Sequence, residues 1–315
     1  LYVYRLRMGD HVQTGVAGAF SIDEYRRGLI VKHERTRKDK EDDRTRHITE
    51  LRAQTGPVLL TFRDTPDAAA AIAAVTSGTP LYDFVADDGV AHTVWQADEA
   101  QAGALQSAIA DVPHLYIADG HHRAASAARA QEALGAEADE EGAFVLAVAF
   151  PDSQMRILPY HRVVKDLNGH IPEAFLTVLS QRFPMVAGSP APSRKGECGV
   201  FIRGKWYTLT LGDDTTDASD PIATLDVSRL QDQVLAPVLG IEDPRTDARV
   251  DFVGGIRGTS ELERLVNTKK AEVAFSMYPV TLAELMAIAD AGAIMPPKST
   301  WFEPKLRDGL LIHEI

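Results

Sequence analysis

The chain has 315 residues, 45% of them hydrophobic, and its 45 acidic against 33 basic side chains give a formal charge of −12. That is enough apolar material for one large core or two medium ones. A field of that sign works against nucleic acid and anionic membranes, so an anionic ligand must be held by a local cluster of donors. Residues 1–7 alternate as a β-strand does, and 15–20 read as the partner strand. Ser21-Ile22-Asp23-Glu24 is a capping-box pattern and predicts a helix over 23–29. Residues 32–46 are densely charged without an apolar face, which suits a solvated loop or flap, with a helix expected over 43–53. An apolar strand at 57–62 precedes an alanine-rich helix at 66–77. Asp87-Asp88-Gly89 joins 81–85 to 91–97 as a hairpin, and 98–111 carries a helical apolar face.

A short strand at 114–118 then runs into Asp119-Gly120 and a helix to about Leu134, stopped by Gly135. Residues 144–150 and 155–164 read as a strand pair turning at Pro151-Asp152. A helix over 172–183 leads to 187–196, which is rich in Gly, Pro and Ser and reads as a linker. A hairpin follows across Arg203-Gly204, then an amphipathic helix over 225–239 and a strand at 249–253. Capping boxes at Ser260–Glu263 and Thr281–Glu284 open two further helices around a strand at 273–278. A proline-bounded basic segment at 295–305 and a strand at 310–315 complete the chain. Helices and strands are mixed and several strands adjoin without a helix between them, which predicts an α+β or mixed α/β fold. Two domains are expected, 1–140 and 141–315, the second packing on the first and closing its site.

The single cysteine, Cys198, cannot form an internal disulfide and reads as a packing residue. Low cysteine content, no spanning apolar run and no secretory pattern lead to the expectation of a cytoplasmic protein without membrane contact. The chain begins at Leu1 rather than Met, so residues ahead of it are expected.

Three segments carry residues suited to chemistry. In Ala118-Asp119-Gly120-His121-His122-Arg123, Asp119 is placed to cap the following helix. Gly120 lets backbone approach a ligand, and the first-turn amides favour an anion. Arg123 suits a two-pronged grip on phosphate, with His121 and His122 as further donors. Adjacent histidines on a helix point to different sides, so a shared metal is disfavoured. In the charged segment Glu34 is a fitting general base, and Asp43 or Asp42 can help hold magnesium on nucleotide phosphates. Read alone, a charge run of this kind is more often a solvated surface. The third segment, Met295 to Lys305, places Lys298, Ser299 and Lys305 among prolines and aromatics, as a phosphate or adenine wall or as a rigid surface loop.

Taken together these segments resemble domain-of-unknown-function family ten-fifteen, through the His33-Glu34-Arg35-Thr36 run with its downstream Lys40-Glu41-Asp42-Asp43-Arg44, the A-D-G-H-H-R turn, and the M-P-P-K-S-T-W-F-E-P-K segment. The extra aspartate in the Glu41–Arg44 run departs from the pattern and blurs which carboxylate matches. The D-G-H-H-R turn is also similar to the phosphate-binding turn of the ParB/sulfiredoxin-like superfamily, which includes kinases acting on free serine. That resemblance implies a ParB/sulfiredoxin-like nucleotide-binding core with an additional α/β C-terminal region. It implies ATP or ADP with magnesium as cofactor and a small hydroxylated metabolite, free serine first, as substrate. Glu34, His121 and His122 would be catalytic. Asp119 to Arg123 with Lys298, Ser299 and Lys305 would hold the nucleotide. His33, Arg35, Thr36 and Arg44 would contact substrate. Sulfiredoxin chemistry needs a cysteine where this chain has His121. A non-catalytic nucleotide or metabolite binder and a metal-dependent phosphohydrolase are the other readings, and a homodimer is the default expectation.

Overall fold

The computed structural model describes residues 1–212 and 220–315, and it divides into two compact units, Leu1–Arg156 with Pro304–Ile315, and Ile157–Glu303. Both mix helices with sheets, as the composition predicts.

The first unit opens with the antiparallel strands β1 (Tyr2–Met8) and β2 (His11–Ser21). Helix α1 (Ile22–Arg27) follows, its Glu24 amide donating to the Ser21 hydroxyl as the capping pattern requires. Then come β3 (Ile30–Val31), α2 (Lys38–Leu51), β4 (Ala53–Gln54), β5 (Val58–Phe62), α3 (Pro66–Thr76), β6 (Tyr82–Val85) and β7 (Ala91–Gln96). Helix α4 (Glu99–Ala110) has a complete capping box between Asp98 and Gln101. Strand β8 (Leu115–Asp119) runs into α5 (His121–Leu134), and β9 (Phe144–Pro151) ends the series.

Eight of these strands form one mixed sheet in the order β3-β8-β5-β9-β2-β1-β7-β6. Two pairings are parallel, β3 with β8 and β5 with β9, and the rest are antiparallel. Strand β9 lies in the middle of this sheet, with Ala147 opposite Val58 on one side and Gly18 on the other. Two expectations are corrected by that position. The unit does not end near residue 140, because its sheet cannot close without β9. Nor do 144–150 and 155–164 pair, since both edges of β9 are already taken. Apolar β5 and β9 are buried with Ala124 and Ala127 of α5, whose small side chains let the helix approach closely.

Helix α2 begins at Lys38, five residues before the expected start. Ion pairs rather than an apolar stripe support its first turns: Lys38 reaches Asp42 at 2.7 Å one turn on, and Arg129 of α5 reaches Asp42 at 2.6 Å.

The second unit contains β10 (Ile157–Leu158), β11 (Tyr160–Val164), α6 (Pro172–Arg182), β12 (Met185–Ala187), β13 (Glu197–Ile202), β14 (Lys205–Thr210), α7 (Asp226–Leu230), β15 (Val250–Gly254), α8 (Gly258–Asn267), β16 (Val273–Met277), α9 (Leu282–Asp290) and β17 (Trp301–Phe302). A six-stranded antiparallel sheet has the order β12-β14-β13-β16-β11-β15, and β10 pairs with β17. The expected linker at 187–196 joins β12 to β13 within this unit, so it separates no domains. The amphipathic helix expected over 225–239 is instead α7 followed by a π turn, Gln231–Leu235, with every α7 residue buried. Asp226 there accepts from the Gly196 amide at 2.9 Å and lies 3.6 Å from Arg229, which lets polar groups occupy the interior. Helix α8 starts at Gly258, two residues ahead of Ser260, so that expected cap does not form, whereas Thr281 and Glu284 do form theirs. Cys198 is buried in β13. The chain end returns to the first unit, where β18 (His313–Glu314) pairs with β4. Among the described residues no helix is long and apolar enough to cross a membrane.

Candidate functional site

The buried run Leu115–Ala118 fixes β8 in the sheet and delivers Asp119 at its end. Gly120 makes the turn in a left-handed conformation, φ 100°, and a Cβ there would lie 2.8 Å from Nε of Arg123. The Ala124 amide is the first of α5 to bond back, to the Gly120 carbonyl at 3.0 Å. Amides of His121, His122 and Arg123 precede it and have no acceptor within the helix. Asp119 does not cap α5, because the capping position falls on Gly120, which has no side chain. Its carboxylate instead lies 3.3 Å from Arg123 Nη2 and 3.7 Å from Lys305 Nζ. Arg123 is held from the other side by Asp308 at 3.7 Å, and its buried Nε has no hydrogen-bond partner among the described residues. A pocket of about 370 Å³ beside it is lined by Arg123, Arg44, His47, Gly56 and Asp308 among others.

The two histidines have a different task from the one expected. His121 accepts the His33 amide at Nε2 (3.4 Å), and His122 accepts the Arg37 amide at Nε2 (3.1 Å). Together they clamp the segment between β3 and α2 onto the start of α5. Neither Nε2 is free for a metal. Accepting at Nε2 places the His121 proton on Nδ1, which faces Glu34 Oε2 at 3.7 Å. Burial, then the neighbouring His33, His122 and Lys32, hold the His121 pKa well below the ordinary histidine value. Burial also lowers His33 to about 4, and its Nδ1 is buried without a partner. The rings of His33 and His121 meet edge-on with centres 4.5 Å apart. His122 is lowered by partial burial and then by the charge of Arg44. Glu34, half exposed, is thus presented to solvent beside a neutral N–H donor.

The remaining expected residues divide. Thr36 donates to Glu41, which also meets Arg129 at 3.2 Å, and Asp43 pairs with Arg46 at 3.2 Å. Arg35 is exposed and Arg44 lines the pocket. Lys305 joins the turn through Asp119. Lys298 and Ser299 belong to the second unit, where Lys298 lies 5.5 Å from the centre of the Tyr160 ring and Ser299 donates to the Pro296 carbonyl at 2.7 Å. Sequence reasoning missed Asp308 and Arg129, since neither sits in a motif that marks it. Among the described residues no group of three or more His, Cys, Asp or Glu side chains is arranged to hold a metal ion.

Residues 1–228 match the family described as "Protein of unknown function (DUF1015)". No curated protein matches. Among solved structures, SbnI from Staphylococcus aureus, truncated at its C-terminus, aligns at 14% identity with a TM-score of 0.47, over 93% of this chain and 85% of that one. A point mutant of a free serine kinase in complex with ADP aligns at 13% identity and a TM-score of 0.44, over 93% and 91%. A conserved hypothetical protein from Pyrococcus furiosus aligns at 15% and 0.41, over 93% of each chain. Likeness at this level assigns no chemistry, so the residues of the site must carry any reading.

Proposed function

Because this chain belongs to the DUF1015 family of proteins of unknown function, we propose from its site residues that it is a nucleotide-dependent phosphotransferase acting on the hydroxyl of a small metabolite. One observation carries the reading. Glu34 lies 3.7 Å from Nδ1 of a neutral, buried His121, and His121 opens the helix whose first-turn amides are unbonded within the helix. A base and an oxyanion cradle are thereby joined through one side chain.

The chemistry follows from that juxtaposition. The amides of His121, His122 and Arg123, with the Arg123 guanidinium, stabilise negative charge on the transferring phosphoryl group. The acceptor hydroxyl attacks phosphorus, its oxygen–phosphorus bond forms as the bond to the leaving nucleotide oxygen breaks, and Glu34 takes the hydroxyl proton. His121 acts as a positioning residue, its neutral Nδ1–H facing the Glu34 carboxylate at 3.7 Å. Asp42 and Asp43 are committed to Arg129, Lys38 and Arg46, which does not fit a protein-held magnesium. None of these steps is routed through one.

Free serine, the acceptor that the sequence resemblance implies, is the first to test. The protein is incubated with ATP or ADP, magnesium and serine, and phosphoserine is measured. Nucleotide binding without phosphoserine from either donor removes serine and leaves the phosphate site standing. Arg123→Ala is expected to weaken nucleotide binding roughly tenfold or more, as the loss of charge-assisted hydrogen bonds requires. Unchanged affinity in that variant removes the phosphate site itself. Glu34→Gln separates catalysis from binding: turnover should fall roughly 10²–10⁴-fold with nucleotide affinity retained.

A further inference from the structure

The second unit holds a cavity of about 560 Å³ that the phosphotransfer reading does not use. Arg162 of β11 lines it and is only 4% exposed. In the sheet it stands opposite Phe252 of β15 and Phe275 of β16, and its guanidinium lies 5.3 Å from the centre of the Phe252 ring. One Nη donates to the Tyr160 carbonyl, and among the described residues Arg162 forms no ion pair. Burial lowers its pKa to about 10, so it remains cationic at neutral pH. A buried guanidinium with no carboxylate is costly, because it has given up water without gaining a counter-charge.

Two further groups line the same cavity with unused capacity. Ser228 of α7 is 7% exposed, and its hydroxyl has no hydrogen-bond partner among the described residues. Gln231 opens the π turn and spends its Nε2 on the Ile241 carbonyl at 2.7 Å, leaving Oε1 buried and without a partner among the described residues. Interruptions of this kind in helices often occur where side chains must be aimed at a ligand. The cavity lining also includes the exposed carboxylates of Asp220, Asp232 and Glu242, while Asp243 is taken by Arg245 at 2.8 Å. Pro296 and Pro297 add a stiff wall, which gives the third signature segment of the sequence a place.

We propose that this cavity binds a small zwitterionic metabolite, a carboxylate that also carries an amino group. The carboxylate meets Arg162 and Ser228, and the amino end meets Gln231 Oε1 and the exposed carboxylates. Charge decides the class. One guanidinium with no ion pair among the described residues balances one negative charge, whereas a phosphate ester brings roughly −1.5 to −2 and would face the acidic lining with its excess. A simple carboxylate leaves those acids unanswered, and a simple amine sets its charge against Arg162. The volume suits a ligand of metabolite size.

The test titrates the full chain with γ-aminobutyrate, butyrate and n-butylamine at low ionic strength, followed by calorimetry. γ-Aminobutyrate should bind at least about tenfold more tightly than either partial analogue. Ser228→Ala and Arg162→Met should each weaken it about tenfold or more, with nucleotide affinity unchanged. Arg162→Met should also keep or raise the Tm, because it removes a buried charge that has no ion pair among the described residues. Butyrate binding as tightly as γ-aminobutyrate would overturn the proposal. So would the absence of saturable γ-aminobutyrate binding, or full affinity in Ser228→Ala. A fall in Tm for Arg162→Met would show that Arg162 serves the fold instead.

Discussion

His33 and His121 are buried imidazoles whose protonation the folded state resists, which couples the site to pH. The His33 pKa falls from an ordinary 6.5 to about 4 on burial, and that of His121 is also lowered well below 6.5. Between those limits the unfolded chain binds a proton that the folded chain does not. Stability is therefore full above pH 6.5 and is lost as pH falls toward 4. For His33 alone the loss between pH 7 and pH 5 is on the order of 2 kcal/mol. Denaturant midpoints at the two pH values should show this loss, and His33→Gln should flatten it. An identical pH dependence in the variant would mean that His33 is not held neutral. His121 and its neighbour His122 mark where sequence reading stopped. The D-G-H-H-R turn was legible as a special place, but His121 and His122 were expected to donate to phosphate. Both instead accept backbone amides from residues 88 and 85 positions earlier. Adjacency in sequence says nothing about which distant amide will meet a ring nitrogen. Glu34 was singled out as a base, and the structure adds what the sequence lacked, the His121 imidazole whose Nδ1 lies 3.7 Å from its carboxylate.

Among the elements, the turn between β8 and α5 is specified by one glycine. Gly120 sits at φ 100° with Arg123 Nε where its Cβ would be, whereas Gly103 within α4 has nothing within 4 Å. The two glycines should respond to alanine with opposite signs. Gly120→Ala is strained and displaces Arg123, so it should cost roughly 1–3 kcal/mol and weaken nucleotide binding. Gly103→Ala reduces the freedom of the unfolded chain at no steric cost and should add about 0.4–1 kcal/mol. Chemical denaturation of both variants beside the wild type checks the pair, and a neutral Gly120→Ala would mean the turn tolerates a side chain. Local signals of this kind were the most legible part of the fold. Ser21 and Thr281 cap where their patterns predict, because a cap depends on residues within one turn. Elements governed by distant partners were not legible. The start of α2 depends on Arg129 of α5, and the edges of β9 are claimed by β5 and β2. The π turn after α7 depends on burial around the whole helix, which a period of 3.6 residues does not encode.

At the scale of the whole molecule, the chain leaves the first unit after residue 156 and returns to it at 304. The sequence pattern showed two regions but not this return, since nothing local distinguishes a tail that pairs with an early strand from one that continues a later domain. The returning segment is short but touches the site and its supports. Lys305 lies 3.7 Å from Asp119, Asp308 lies 3.7 Å from Arg123, Arg307 pairs with Asp88 at 2.9 Å, and β18 adds to β4. Exposed ion pairs contribute little one by one, about 0–1 kcal/mol each. Here two of them position the one arginine on which the phosphate reading rests. Truncation after Glu303 should therefore affect the first unit out of proportion to its length. Amides of β4 and those of α5 from Ala124 onward, the first to bond back within the helix, should lose protection in hydrogen exchange, while those of β13 and β16, closed within residues 157–303, should keep theirs. Nucleotide affinity should fall with the protection of α5, because Arg123 keeps only Asp119 to orient it. Equal loss of protection across both sheets would contradict the division at 156 and 304. Intact affinity despite exposed α5 amides would show that Arg123 needs no second carboxylate, and the phosphate grip would then rest on the turn alone.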